Sequence, residues 1–248
     1  MCHWSLMSVL ATTGMKHTKS LMQAPKQTSA SLCLSCIPSK RTEAWWLSRH
    51  AEKQAEVDKT TADIVFLGDS ITHAWELEGE QAWERHFAAM NCINLGYAGD
   101  RTEHVLWRIE NGELAFKKVD FVCLLIGTNN AGHRNDPAEE ISQGIASIVA
   151  RVQDALPTAK IILNAIFPRS RKPTQRMRLL VNETNTLIRR FCDGENVYWL
   201  DISAQLLTKD GFLEANVMPD YLHPNAEQYK IWAQAICDKV AAIKEALN

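Results

Sequence analysis

Five short apolar runs, separated by helical patterns, constrain the fold of this chain more than any other feature. The runs span 63–67, 92–95, 121–126, 160–167 and 197–202, and each has about the length of a buried strand. Strands that are apolar throughout, with helices between them, are typical of a parallel sheet covered on both faces. We therefore predict an α/β fold, a three-layer α/β/α sandwich with a five-stranded parallel sheet.

Helical periodicity is clearest between the third and fourth runs. Ile141 and Ile145 begin an apolar stripe at helical spacing, with Asp136 predicted as the N-cap and Pro137 as the first helical residue. A second helix is predicted within 41–57, where a tryptophan pair precedes a charged stretch. We expect its aromatic end to pack on the domain.

Composition divides the chain at about residue 36. The 248 residues are 46% hydrophobic and 23% charged, which fits one globular domain plus a tail. Residues 1–36 carry no acidic side chain and keep no helical or strand period, so we predict a disordered or targeting tail there and a folded domain over 37–248. Because residues 5–15 lack the clean apolar core of a secretory signal, the compartment stays open, with a cytoplasmic location slightly favoured.

Charge and cysteine content narrow the range of partners. A net charge of -2 gives no global reason to expect nucleic acid, and no apolar stretch approaches the roughly 20 residues of a membrane-spanning helix. Seven cysteines imply no disulfide framework, and the pair Cys33 and Cys36 has no second pair or suitably spaced histidine, so no metal site is predicted. The expected partner is a small molecule.

Glycine and small polar residues follow the first three strands. The turns are 68–70, 96–100 and 127–130, and a fourth polar stretch, 220–223, lies beyond the fifth strand. Ligands of such folds bind outside the carboxyl ends of the strands, so these segments are expected to meet at one edge of the sheet. Ser70, where the first strand turns into a helix, is compatible with a nucleophile or with an ordinary helix N-cap.

The same turns contain a candidate for each part of a serine acyl-transfer site. Ser70 supplies the hydroxyl, and His223 the base, with Asp220 three residues earlier able to hydrogen-bond its ring. Gly99 permits close approach of its backbone N–H to an oxyanion, and the Asn129 carboxamide can donate a second hydrogen bond. The Ser70 N–H is a third donor.

These blocks resemble the SGNH (GDSL-type) hydrolase superfamily. Within it, the segments around Gly99 and Asn129 are most similar to the branch that contains the catalytic subunits of platelet-activating-factor acetylhydrolase and bacterial relatives. The resemblance covers roughly residue 37 to the end of the chain. It implies Ser70 as nucleophile, Asp220 and His223 as its triad partners, and Gly99, Asn129 and Ser70 as the oxyanion hole. It also implies a flavodoxin-like strand order 2-1-3-4-5, no cofactor, and a homodimer as one possible assembly.

The resemblance also suggests how large the acyl group can be. In the family, the residues after the nucleophile and before the catalytic histidine crowd the acyl pocket, and here they are the bulky Ile71 and Leu222. We therefore expect a serine carboxyl ester hydrolase that cleaves short-chain, chiefly acetyl, esters of carbohydrates or phospholipid-like compounds. The alternatives are a thioesterase, a lysophospholipase, or a binding module that kept the fold without turnover.

Asp69, His73 and a basic run after the fourth strand can each be interpreted in two ways. Asp69 is expected to brace the turn rather than act as an acid, and His73 to be a packing or rim residue rather than a second base. A basic run follows the fourth strand at the expected active edge and comprises Arg169, Arg171, Lys172, Arg176 and Arg178. It is either a solvated loop and helix face or a contact for an anionic or polar leaving group.

Overall fold

A computed structural model describes residues 32–57 and 60–247 and contains one five-stranded parallel sheet. The strands are β1 (Thr61–Gly68), β2 (Cys92–Gly96), β3 (Lys118–Leu125), β4 (Lys160–Asn164) and β5 (Val197–Leu200). Their order across the sheet is β2-β1-β3-β4-β5, with every neighbouring pair parallel. The predicted α/β sandwich and its flavodoxin-like strand order are therefore confirmed.

Eight α-helices surround the sheet in the described part of the chain. They are α1 (Ala44–Val57), α2 (Ser70–His73), α3 (Glu80–His86), α4 (Thr102–Arg108), α5 (Ala138–Ala155), α6 (Arg176–Ile188), α7 (Ser203–Leu206) and α8 (Ala226–Leu247). Short 3-10 turns occupy Leu34–Cys36, Ala74–Glu76 and Arg189–Phe191, and π-type turns occupy Ile109–Glu113 and Asn130–Arg134. None of these described helices is long and apolar enough to cross a membrane.

Alternating side chains of the buried strands build two cores. Val65 and Leu67 of β1 face the core under α4, α5 and α6, whereas Ile64 and Phe66 face the core under α3 and α8. This alternation follows from the period of two along a strand, and because both faces are covered, every residue of the central run is apolar.

Several predicted boundaries shift by one to three residues, including the end of the fifth strand, which is Leu200 rather than Ile202. Polar side chains accompany two of these shifts. β4 was expected to continue to Phe167 but ends at Asn164, since Asn185 of α6 accepts from the Ile166 N–H at 2.8 Å and donates to its carbonyl at 2.9 Å. The helix expected to begin at Pro137 begins at Ala138, with Pro137 at the N-cap position. The Asp136 carboxylate makes no cap and binds other side chains instead.

The segment just before the predicted domain boundary packs against α4 and α5. Ser35 is fully buried, its hydroxyl donates to Asp136 at 2.9 Å, and its carbonyl accepts from Thr102 at 2.8 Å. Cys33 and Cys36 form a disulfide that the sequence did not predict. Packing thus reaches upstream of residue 37, and the rest of the predicted tail, 1–31, lies outside the described residues.

Candidate active site

The β1–α2 turn leaves the Ser70 hydroxyl free for another partner. Asp69 is the N-cap of α2, and its Oδ1 accepts from the Ile71 N–H at 3.0 Å. Ser70 is the first residue of the helix, so Asp69 rather than Ser70 performs the capping role. Gly68 is required before it, because a Cβ there would lie 2.2 Å from the Thr72 hydroxyl.

Ser70, His223 and Asp220 form a continuous hydrogen-bonded chain. The Ser70 Oγ lies 2.9 Å from His223 Nε2, and His223 Nδ1 lies 2.6 Å from Asp220 Oδ2. With Nδ1 protonated and donating to the carboxylate, Nε2 is the acceptor that faces the serine hydroxyl. The His223 and Asp220 side chains remain 39% and 54% exposed, so a substrate can reach them.

A tight turn holds the Asp220 carboxylate against the imidazole. Its Oδ1 accepts hydrogen bonds from the N–H groups of Leu222 and His223 at 3.0 and 2.8 Å. Tyr221, directly after Asp220, takes a left-handed φ of 58°. Partial burial opposes ionisation, but the hydrogen bonds from the His223 backbone and ring lower the pKa of Asp220 below its ordinary value. The carboxylate is therefore charged at neutral pH and oriented toward His223.

The two other turns reach the same edge because of the strand register. Gly68 of β1 pairs with Gly96 of β2 and Leu125 of β3, so the three strands end at the same level. Gly99 has a φ of 77°, which glycine adopts without strain. The buried Asn129 donates through Nδ2 to the Asp100 carbonyl at 2.9 Å, which leaves its second N–H available.

A buried ion network fixes the backbone that carries this hydrogen bond. Asp100 is fully buried and accepts from Arg108 at 2.9 Å, from Arg41 at 3.0 Å and from the Trp46 indole at 2.8 Å. Arg108 is also fully buried and pairs with Glu113. Because each charge has partners, the network positions the 96–100 turn relative to Asn129.

Asp69, next to Ser70 in the chain, is a buried titratable residue. Its Oδ2 has no hydrogen-bond partner among the described residues, and the side chain is buried. Burial raises the pKa of the Asp69 carboxyl to about 7, and the single hydrogen bond from Ile71 offsets this only in part. A fraction of the molecules therefore carries a neutral Asp69 at neutral pH.

A pocket of about 420 Å³ opens beside the serine. Besides Ser70, Asp220 and His223, it is lined by His73, Ala74, Leu77, Glu78, Ala98, Pro219, Pro224 and Asn225. His73, Ala74 and Leu77 follow Ser70 at spacings of three, four and seven, so helical periodicity could have identified this wall from the sequence. The sequence analysis did not predict Leu77, Glu78 and Pro219 as pocket residues, because none of them directly follows a strand.

The two predicted acyl-pocket residues lie in different environments. The Ile71 side chain is 1% exposed and packs in the core with Trp75 and Tyr229, while its carbonyl accepts from the Tyr229 hydroxyl at 2.7 Å. The expectation that Ile71 lines the substrate pocket is therefore corrected, because α2 turns this side chain toward α8. Leu222 is partly exposed and lines a separate groove that also contains Asp220.

In the described structure, His73 contacts the 96–100 turn rather than Ser70. Its Nδ1 accepts from the Ala98 N–H at 3.3 Å, and its ring stacks on Trp45. Burial, followed by the nearby Arg49, lowers the pKa of His73, so its ring is neutral at neutral pH. This agrees with the expected rim role and adds a contact to the segment that carries Gly99.

The basic run divides into residues with different roles. Arg178 is 1% exposed and donates to the carbonyls of Arg169, Ser170 and Gly211, so it holds the loop together. Arg169 is partly buried and donates to the Thr128 carbonyl at 2.6 Å, beside Asn129. The other members of the run, Arg171, Lys172 and Arg176, are exposed.

Comparisons with known proteins identify the family to which this chain belongs. Residues 66–231 match the model of the GDSL-like lipase/acylhydrolase family. Human platelet-activating factor acetylhydrolase IB subunit alpha1 is 33% identical over 179 residues, covering 72% of this chain and 75% of that protein. The chicken (Gallus gallus) alpha2 subunit is 32% identical over 184 residues, covering 74% of this chain and 78% of its own.

Solved structures share the fold at lower sequence identity. A GDSL-like lipase from Bacteroides thetaiotaomicron is 19% identical, with a TM-score of 0.65 over 80% of this chain and 97% of that one. An acetylxylan esterase from Geobacillus stearothermophilus is 18% identical, with a TM-score of 0.59 over 73% of this chain and 95% of that one.

Proposed function

The chain belongs to the GDSL-like lipase/acylhydrolase family and is a carboxylic ester hydrolase, and we propose that it cleaves short-chain, chiefly acetyl, esters through Ser70. The observation that supports this most strongly is the chain of hydrogen bonds from Ser70 through His223 to Asp220, at 2.9 and 2.6 Å. Such a chain supplies both the nucleophile and the base for acyl transfer.

In the proposed mechanism, His223 Nε2 takes the proton as Ser70 Oγ attacks the ester carbonyl. Asp220 holds the imidazole in the reactive tautomer and stabilises the imidazolium that forms. The oxyanion is stabilised by the N–H groups of Ser70 and Gly99 and by the free N–H of Asn129. His223 then protonates the departing alcohol, and water repeats the steps on the acyl-enzyme.

Preference for acetyl esters draws its support from the named relatives. Proteins similar to this chain include platelet-activating factor acetylhydrolase subunits and an acetylxylan esterase, which act on acetyl esters as their names state. Leu222 remains a proposed limit on acyl length, whereas Ile71 no longer supports this limit. The apolar pocket walls of Ala74, Leu77 and Pro219 suit the carbon skeleton of an alcohol, such as a carbohydrate or a phospholipid-like compound.

A fluorophosphonate probe tests the nucleophile directly. We expect the wild-type protein to be labelled and Ser70→Ala to resist labelling, with its esterase rate lowered by several powers of ten. Ser48→Ala is the matched control, because Ser48 is exposed on α1 and bonds only Glu52 among the described residues. Full esterase activity in Ser70→Ala would contradict the proposal, and labelling without turnover would favour a binding module.

A rate series on 4-nitrophenyl esters from C2 to C12 tests the acyl preference. The proposal predicts the highest kcat/KM for the acetyl ester and a steady decline with chain length. A maximum at C8 or longer would overturn the acetyl assignment while leaving the Ser70 mechanism intact. Acyl thioesters and lysophospholipids, tested in parallel, compare the esterase with its two enzymatic alternatives.

A further inference from the structure

A second groove, of about 360 Å³, adjoins the turn that carries the catalytic acid and base. It is lined by Arg169, Ser170, Arg171, Gln175, Asp220, Tyr221 and Leu222. Asp220 also lines the pocket that contains Ser70, so the groove and the pocket share a wall. The groove therefore adjoins the pocket at Asp220.

Two arginines in this groove have no carboxylate partner within 4 Å in the described parts of the chain. Arg169 bonds only the carbonyl and hydroxyl of Thr128, both neutral, and Arg171 bonds no side chain among those residues. Other arginines near the active-site edge are paired with acidic side chains, namely Arg41, Arg101 and Arg134. The groove therefore contains positive charge that the nearby described residues do not neutralise.

Two acidic groups interact electrostatically with Arg169, but neither forms an ion pair with it within 4 Å among the described residues. Burial lowers the pKa of Arg169, and only Asp69 and Asp220 oppose this. Asp69 is buried and is partly neutral at pH 7. Asp220 is the single acidic residue of the groove lining, and it already accepts from the ring and backbone N–H of His223.

The groove has a fixed shape before any ligand binds. The Ser170 N–H donates to the Tyr221 carbonyl at 2.9 Å, and both residues take left-handed φ angles, 67° and 58°. The buried Arg178 side chain donates hydrogen bonds to the carbonyls of Arg169 and Ser170. Such strained residues persist only where their surroundings fix them, so the backbone of the groove needs little ordering on binding.

We propose that this groove binds an anionic group of the ester substrate, a phosphate or a carboxylate, through Arg169 and Arg171. Guanidinium groups form charge-assisted hydrogen bonds with both kinds of anion. The proposal rests on the proposed esterase function and narrows its substrates to esters that carry a negative charge near the scissile bond. In the basic run, Arg169 and Arg171 would then bind the anion, whereas Arg178 stabilises the loop.

Two matched substrate pairs test the groove. Acetylglycerol and acetylglycerol phosphate differ by a phosphate on the alcohol portion, and 4-nitrophenyl pentanoate and 4-nitrophenyl hemiglutarate differ by a carboxylate on the acyl portion. We expect the anionic member of at least one pair to have a kcat/KM at least tenfold higher than its neutral partner at low salt. The preference should decline as salt screens the arginines. The pair that responds shows which of these two anion placements the groove accepts.

The ratio of anionic to neutral kcat/KM is then measured in variants. Arg169→Gln should lower the ratio at least tenfold and Arg171→Gln several-fold, whereas Arg169→Lys should retain part of it. Lys172→Gln is the matched control, because Lys172 is exposed on the same loop, does not line the groove, and should leave the ratio unchanged. If Arg169→Gln disturbs the Thr128 turn, both members of a substrate pair lose activity to the same extent and the ratio is unaffected. Arg171→Gln removes no side-chain hydrogen bond within the described residues.

Two results would overturn the proposal. One is a ratio near one in both substrate pairs for the wild-type enzyme. The other is an anion preference that survives both arginine-to-glutamine changes. Failure of the esterase assignment is distinct, because it would show as equal hydrolysis of the neutral esters by the wild type and Ser70→Ala.

Discussion

Replacing Asn129 with alanine tests two hydrogen bonds, the proposed one to the oxyanion and the observed one to the Asp100 carbonyl. The Asn129 Nδ2 group carries two hydrogens, and one of them is held by the Asp100 carbonyl at 2.9 Å. The other is available to the proposed oxyanion. Alanine removes both donors, so the variant should lose activity and stability for two separate reasons.

The two losses differ in size and in assay. Removing one oxyanion donor lowers kcat by roughly 10²–10³, or about 2.7–4 kcal/mol of transition-state stabilisation. Leaving the buried Asp100 carbonyl short of a partner costs about 1–3 kcal/mol of folding free energy. For a domain of this size each kcal/mol lowers Tm by roughly 2–4 °C. Rates on 4-nitrophenyl acetate at 25 °C report the first loss, and thermal denaturation reports the second.

Asn164→Ala is the control for the structural part. Asn164 is buried at the end of β4, donates to the Leu124 carbonyl at 3.1 Å and accepts from the Trp232 indole at 2.9 Å. Its loss should lower Tm to a similar extent while kcat stays within about twofold. The oxyanion assignment fails if Asn129→Ala keeps more than a third of the wild-type kcat, or if both variants lose kcat equally.

Three further predictions follow from groups around Ser70. Gly99→Ala should lower both Tm and kcat, because alanine at a φ of 77° costs about 1–2 kcal/mol and its Cβ would lie 3.3 Å from Arg41. Gly194→Ala is the control: its φ is 75° and its Cβ would have no atom within 4 Å, so this variant should lower Tm alone. Asp69→Asn keeps the helix cap. Because burial raises the pKa of Asp69 to about 7, the wild type should lose stability relative to this variant as the pH rises from about 4 through 7. Chemical denaturation across that range would contradict this pKa if the difference in unfolding free energy between the two proteins did not change with pH. Tyr229→Phe removes the 2.7 Å bond to the Ile71 carbonyl and should cost about 1–3 kcal/mol in urea unfolding; an unchanged midpoint would show that the bond contributes nothing.

The sequence by itself determined the sheet and the residues gathered at its edge. Runs such as 63–67 must be buried on both faces, which requires parallel strands, and parallel strands deliver the residues that follow them to one side. Ser70, Gly99 and Asn129 were identified for this reason. The pairing of Asp220 with His223 is local, since three residues of tight turn suffice to close it.

Only the tertiary structure decided which neighbours these residues have. The sequence could not tell that Ile71 would point into the core under α8, or that Arg178 would be buried while Arg171 stays exposed. Each outcome depends on how elements distant in the chain pack together, as the bond from Tyr229 to the Ile71 carbonyl illustrates. Local pattern specifies the period and burial of a segment, whereas the direction of one side chain toward a pocket is fixed by packing that sequence periodicity does not encode.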